Sequence, residues 1–390
     1  MIFFKKNFFK KLNNQPKISI IKNYLKKLIL EDNEILQSFK KSYKNNYNRL
    51  LVNSLQKYKT ISLIGMGGSI LGSKAIYSFL KKKNNKHFIF IDNLNSNLDK
   101  KIVEKKKLNL VISKSGNTLE TIVNFNIAEN RLDKNIFLTE NDNSYLFKLA
   151  NKFKSTIINH NQLIGGRFSV LSEVGMLPAD LMEFKSNKFR RFDNVINNKK
   201  LLVSLIDGVL SQYNFIKTKK TNSVILNYDE NSVDLFNWYQ QLVAESLGKK
   251  KIGILPVISN MPKDNHSVMQ NYLDGQRNNF FTFFYVKERV SNKIRDEKLN
   301  KSHEFLKKKN LEEVLYSQFT ATQKVFDEKK IPYRTIIIQK RNEETLGELF
   351  IFFMLETILL GKLLKINPYD QPAVELIKQE TIKLLKNFSS

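Results

Sequence analysis

The chain has 390 residues, 42% of them hydrophobic, which is enough for two packed domains and too apolar for a disordered protein. It has no cysteine and four histidines, at 87, 160, 266 and 303, so disulfides, thiolate catalysis and cysteine metal sites are excluded and no metal centre is expected. The formal charge of +28 comes from lysines spread along the chain, which read as solvated surface and as a field attracting small anions, not as a nucleic-acid face.

In chain order, the first residues mix apolar pairs with lysine pairs and lack the apolar stretch of an export signal, so a cytoplasmic protein is expected. Helical spacing at Ile18, Ile21, Leu25 and Leu28 predicts a helical segment over 1–50. Short β-rich runs follow at 61–64, 88–91, 108–112, 136–138 and 156–158, with helix-like stretches between several of them. Strands alternating with helices predict a parallel, doubly wound sheet, here over 51–200. After a helical stretch from about 170 to 220, runs at 223–228, 252–258, 282–286 and 334–338 predict a second such domain over 201–365. The apolar run 349–355 is cut by Glu356 and falls far short of the about 20 residues a bilayer span needs, so it reads as a buried helix and no membrane is expected. Residues 366–390 read as a loop, entered through Pro368 and Pro372, and a terminal helix. No Pro/Gly/Ser-rich linker separates the halves, so the class is α/β: two closely packed, doubly wound parallel sheets with flanking helices, possible copies of one fold.

Ligands of open α/β sheets bind at the carboxyl ends of strands, which makes the residues after each strand the informative ones. The first predicted strand runs into Gly65-Met66-Gly67-Gly68-Ser69 and a helix, a loop that lets backbone approach a ligand or simply makes a tight turn. A dinucleotide fingerprint fits badly, because its third glycine would fall at Ile70. The strand at 108–112 runs into Ser113-Lys114-Ser115-Gly116-Asn117-Thr118 and another helix. Asn117 with Glu120 could cap that helix, while three hydroxyls, a lysine and free N–H groups at a helix start suit a dianionic phosphate.

Gly165-Gly166-Arg167 places flexible backbone beside a rigid guanidinium, for a ligand or at a plain surface turn. Glu245 falls in the last turn of a helix whose buried face carries Leu235, Trp238, Leu242 and Val243 and which Gly248 can end. A carboxylate at the negative end of a helix dipole suits a general base, and an exposed glutamate is the plain alternative. His266, in Asp264-Asn265-His266-Ser267, reads by itself as a cap or core residue, and Glu375 with Lys378 as a surface ion pair one turn apart.

Together and in this order, from the Gly-Gly-Ser loop to Gln371-Pro372-Ala373-Val374-Glu375-Leu376-Ile377-Lys378, these segments closely resemble the glucose-6-phosphate isomerase family over nearly the whole chain from about residue 60. The resemblance implies two sugar-isomerase-type domains and reversible isomerisation of glucose 6-phosphate and fructose 6-phosphate through an enediolate, without metal or redox cofactor. It implies that Ser113, Lys114, Ser115 and Thr118 cradle the phosphate with help from Gln371, and that Gly68, Ser69 and Gly166 line the sugar. Arg167 would stabilise the enediolate, Glu245 would move the proton, and His266 and Lys378 would open the ring. It also implies a homodimer in which His266 reaches the neighbour's site. The family often has glycine where this chain has Ala373 and Ile377, on a predicted helix that both residues favour over glycine. A dual phosphoglucose/phosphomannose isomerase and a non-catalytic sugar-phosphate-binding regulator are the alternatives; the second would have no reason to keep Arg167, Glu245, His266 and Lys378 together.

Overall fold

In the computed structural model of the protein the described residues are 2–7, 15–31, 33–80, 86–95, 106–140, 142–287 and 291–387. The chain opens with β1 (Ile2–Asn7), and helices Gln15–Leu30, Glu34–Ser38 and Arg49–Leu55 follow. The expected all-helical segment over 1–50 is therefore corrected at its start. β1 pairs antiparallel with a strand more than 300 residues away, and local periodicity carries no signal of such a partner.

The first sheet contains β2 (Thr60–Gly65), β3 (His87–Ile91), β4 (Leu108–Ile112), β5 (Lys134–Thr139) and β6 (Thr156–Asn159), all parallel, in the order β3-β2-β4-β5-β6. β4 is buried at all five positions, as a strand covered on both faces is; its one polar residue, Asn109, donates to Asp133 and Asn135 (2.9 Å each). The second sheet contains β7 (Asn222–Asn227), β8 (Leu255–Asn260), β9 (Asn279–Val286) and β10 (Tyr333–Ile338) in the order β1-β10-β9-β7-β8, parallel except for β1. Strands β7 to β10 repeat the order of β2 to β5, with the first strand of each set flanked by the second and third, and the two sheets differ in their fifth strand, parallel β6 in one and antiparallel β1 in the other. In each, the chain reverses its direction of winding there, between β2 and β4 and between β7 and β9, and such a switch point opens a crevice at the strand ends.

β8 begins later than the sequence suggests. Lys250 and Lys251 take left-handed backbone (φ 54° and 57°) and Gly253 lies at φ 145°, so Ile252 belongs to a turn bridged to Lys249. The helical stretch expected over 170–220 is divided into Glu173–Leu181, Ser186–Phe189, Phe192–Asn197 and Lys199–Lys217.

Helix Leu71–Leu80, which follows β2, packs on helix Val233–Leu247, which follows β7, and so joins the two halves. The long helix Glu343–Leu363 is buried from 345 to 361 except at Glu348, and receives Trp238 edge-on against Phe350, ring centroids 4.7 Å apart. Each fully buried phenylalanine on it, such as Phe350 or Phe353, contributes about 1.5–3 kcal/mol. Glu356 lies inside this apolar helix because Arg334 meets it through two N–H···O bonds of 2.5 and 2.9 Å, which offsets the cost of burying the charge. No helix among the described residues is long and apolar enough to cross a membrane.

Candidate active site

Two loops flank the switch point of the first sheet. After β2, Gly67–Ser69 form a 3-10 turn leading into helix Leu71–Leu80, with Gly67 at φ 53°. After β4, residues 113–118 lead into helix Leu119–Ala128. The Ser113 and Thr118 hydroxyls are 2.8 Å apart, Ser113 Oγ also accepts the Gly116 N–H (3.1 Å), and Ser115 Oγ accepts the Asn117 N–H (3.3 Å). Gly116 is at φ 65°, and a Cβ there would lie 2.1 Å from Ser144 Oγ, so the tight turn requires glycine.

The cap expected from Asn117 does not form, since its carboxamide oxygen accepts the Tyr145 N–H instead (2.9 Å). No side chain caps the first turn of helix Leu119–Ala128. Its N–H groups and positive dipole end therefore face the hydroxyl loop, an arrangement suited to an anion. The Lys114 ammonium is directed elsewhere, donating to the Gln162 carbonyl (2.8 Å) and lying 3.4 Å from Glu140, so only its backbone belongs to the loop's hydroxyl cluster.

The third loop, Gly165-Gly166-Arg167, meets the first backbone to backbone. A Cβ on Gly68 would be 2.2 Å from the Gly166 carbonyl carbon and 2.6 Å from the Arg167 nitrogen. This contact delivers Arg167, 2% exposed, to a site shared by three segments of the chain. Its Nε–H donates to Ser246 Oγ (2.8 Å), its NH1 to Glu245 Oε2 (3.1 Å) and Gln371 Oε1 (2.6 Å), and its NH2 to the carbonyls of Pro368 (2.7 Å) and Asp370 (3.0 Å). All five guanidinium donors are thus engaged. Burial lowers the Arg167 proton affinity from its ordinary value, an effect opposed by the Glu245 carboxylate, and a guanidinium stays charged throughout. Asp370 is held in turn by Lys249 at 2.5 Å; that hydrogen bond, against slight desolvation and aided by the ammonium charge, keeps its carboxyl below the ordinary value.

Glu245 lies in the last turn of helix Val233–Leu247, its side chain 30% exposed, and its Oε1 accepts an N–H from Gln241 (2.9 Å), one turn earlier on the same face. Gln241 also lies where a Cβ on Gly67 would be 2.6 Å from its nitrogen, so it bridges the first loop and the carboxylate. Neither Gln241 nor Ser246 was singled out from sequence, although the four-residue spacing of Gln241 and Glu245 on one helix face was the available signal for the former.

The structure therefore gathers Gly68, Gly166, Arg167, Glu245 and Gln371 at one point, with Ser69 closing the adjacent 3-10 turn and Ser113, Ser115 and Thr118 on the neighbouring strand end. Gln371 meets Arg167 and not the hydroxyl loop. His266 and Lys378 stand apart. His266 is exposed at the end of a 3-10 turn after β8, and the Lys378 ammonium pairs with Glu375 (3.2 Å) on the exposed helix Ala373–Asn387. Among the described residues no hydrogen bond or ion pair joins either of them to Arg167 or Glu245, and no group of three or more His, Asp or Glu side chains is placed to hold a metal ion.

The sequence model of the family described as phosphoglucose isomerase matches residues 33–262. The chain is 34% identical over 351 residues to the glucose-6-phosphate isomerase of Methanocaldococcus jannaschii, covering 85% of this chain and 86% of that one. It is 32% identical to the enzyme of the same name from Campylobacter jejuni, with 82% and 84% covered. Among solved structures, a glucose-6-phosphate isomerase from Chlamydia trachomatis superposes with a TM-score of 0.69 at 20% identity, covering 87% of this chain and 72% of that one, a likeness of fold.

Proposed function

Because the chain belongs to the phosphoglucose isomerase family, we propose that it interconverts glucose 6-phosphate and fructose 6-phosphate, with Glu245 carrying a proton between C2 and C1 through a cis-enediolate. The observation that supports this most strongly is the Glu245 carboxylate hydrogen-bonded to a buried guanidinium, beside a hydroxyl loop at an uncapped helix start. Proton abstraction next to a carbonyl needs a base on one side of the carbon and a fixed positive charge at the oxygen that becomes anionic.

In this reading the phosphate rests on Ser113, Ser115 and Thr118, on the backbone of Lys114 and on the first N–H groups of the following helix. Gly68, Ser69 and Gly166 border the sugar. Arg167 has no spare donor, so the enediolate oxygen takes the place of an acceptor on NH1. The acceptors there are the Glu245 and Gln371 side chains. Where it displaces Glu245 it frees that carboxylate to accept its proton; a second substrate oxygen displacing Gln371 would let that side chain turn toward the phosphate. His266 and Lys378 supply the proton donor and acceptor of ring opening, both brought in from outside the Arg167 cluster. A homodimer accounts for this separation, since His266 is exposed and Val374 and Ile377, 44% and 70% exposed, form an apolar edge on the helix that carries Lys378.

The direct test is turnover of fructose 6-phosphate to glucose 6-phosphate by the purified chain in a chelating buffer, followed by nuclear magnetic resonance. Turnover undiminished by the chelator is expected, and folded protein that converts no substrate would end this assignment.

A further inference from the structure

A buried polar cluster lies at the base of the loop that carries Arg167. His160 follows β6 and is 4% exposed, and Glu173 opens helix Glu173–Leu181 and is 0% exposed. His160 Nδ1 is 2.6 Å from Glu173 Oε1, and His160 Nε2 is 3.0 Å from the Ile164 carbonyl oxygen. Both partners are acceptors. A neutral imidazole has a single N–H and would leave its other nitrogen's lone pair against a buried oxygen, whereas the imidazolium donates to both.

The same cluster holds the Glu173 carboxylate from several sides. Glu173 Oε1 also accepts the Asn161 N–H (3.0 Å) and Oε2 the Tyr43 hydroxyl (3.3 Å), while the Asn161 amide reaches Glu34 (2.8 Å). The Arg190 guanidinium stacks 5.0 Å from the Tyr43 ring and binds the Tyr43 and Leu171 carbonyls, and Tyr47 donates to Asp180 (2.7 Å) at the far side. Burial by itself would raise the Glu173 carboxyl, but the hydrogen bond and charge of His160 with the backbone N–H groups outweigh it and leave it below its ordinary value.

The three tied residues bracket the functional segment. His160 grips Glu173, thirteen positions on, and Ile164, immediately before Gly165, Gly166 and Arg167. We propose that His160, held between Glu173 and the Ile164 carbonyl, is a positioning residue for the isomerase, a staple that closes the 160–173 loop and sets the direction of Arg167 against Glu245. The inference rests on the function proposed above for Arg167. It follows from the sensitivity of the chemistry to placement, since a shift of about 1 Å at a charge-stabilising group can cost about a hundredfold in rate. The staple acts on the loop and leaves the hydroxyls that cradle phosphate on another strand end, so its loss is read in turnover and not in substrate affinity.

His160→Gln removes the two-ended grip, and Glu173→Gln keeps an oxygen acceptor but removes the charge. In the full-length protein, kcat for fructose 6-phosphate is expected to fall about tenfold to a hundredfold in His160→Gln and less in Glu173→Gln, with KM and inhibition by inorganic phosphate within about twofold of wild type. The double variant is expected to lose no more than His160→Gln does, because both changes break one contact. Wild-type kcat in both variants, even with lowered thermal stability, would reduce the pair to a structural contact and overturn the proposal, as would a rise in KM at constant kcat. If His160→Gln does not fold, Glu173→Gln decides, and an unchanged kcat there overturns it. Inactive wild-type protein would overturn the function itself and this inference with it, whereas active wild type with unaffected variants defeats the inference alone.

Discussion

At Glu245 two donors converge on one carboxylate, the Gln241 amide on Oε1 and the Arg167 guanidinium on Oε2. Replacing it by glutamine keeps the shape and one hydrogen bond but removes the group that can take a proton. Glu245→Gln is expected to lower kcat by about 10²–10⁴ while substrate binding, measured by calorimetry, changes little; normal turnover would remove Glu245 from its role. A second residue-scale expectation concerns acid. The folded-state proton affinity of Glu173 is depressed, so its contribution to stability is present above the ordinary carboxyl value of 4.5 and is lost as pH falls through the lower folded-state value. Thermal melts of Glu173→Gln should therefore be less stable than wild type near neutrality and converge with it in acid, and an equal gap at all pH values would refute this. The residues of the site were legible as loops after strands and as one glutamate on a helix. Their meeting was not, because Arg167 and Gln371 are 204 positions apart and only the tertiary fold carries that information.

Among the elements, the contact between the first and third loops is the least forgiving. Gly68→Ala would drive a methyl to 2.2 Å from the Gly166 carbonyl carbon, while Gly165→Ala would meet nothing closer than Phe168 at 3.7 Å. The first change is expected to destabilise by about 1–3 kcal/mol and to reduce turnover, because the loops must separate; the second should melt and turn over like wild type. Equal behaviour of the two variants would show that the close approach is dispensable. Strand β4 could be read from sequence because a strand covered on both faces is mostly apolar; β9 was read only from 282, because Thr282 and Asn279 interrupt its apolar residues although all eight positions are buried. β8 was misjudged at its start because left-handed lysines, unlike glycines, do not announce a turn. β1 escaped because Phe3-Phe4-Lys5-Lys6 breaks the two-residue alternation of a strand.

At the scale of the whole molecule, the separation of His266 from Arg167 and Glu245 makes a prediction about mixing. If His266 acts in the site of a second copy, Glu245→Gln and His266→Ala are each inactive alone. Refolded together in equal amounts, they form hybrids in which one of two sites is intact, restoring about a quarter of wild-type activity. No recovery, or a chain that sediments as a monomer, would exclude a shared site. Strands β7 to β10 repeat the order of β2 to β5, yet the two switch points carry different residues. Two residues past β2 the chain places Gly67; two residues past β7 it places Asp229, which Arg341 clamps with bonds of 2.8 and 3.2 Å while also donating to the Phe79 carbonyl of helix Leu71–Leu80 (2.9 Å). In the site proposed above the first crevice takes the ligand, while at its counterpart Arg341 and Asp229 tie the halves to each other. Opening the molecule like a jaw would break that tie, so on the role proposed for Arg167 the entry and release of sugar fall to the exchange of its partners, a movement of side chains with the halves kept together.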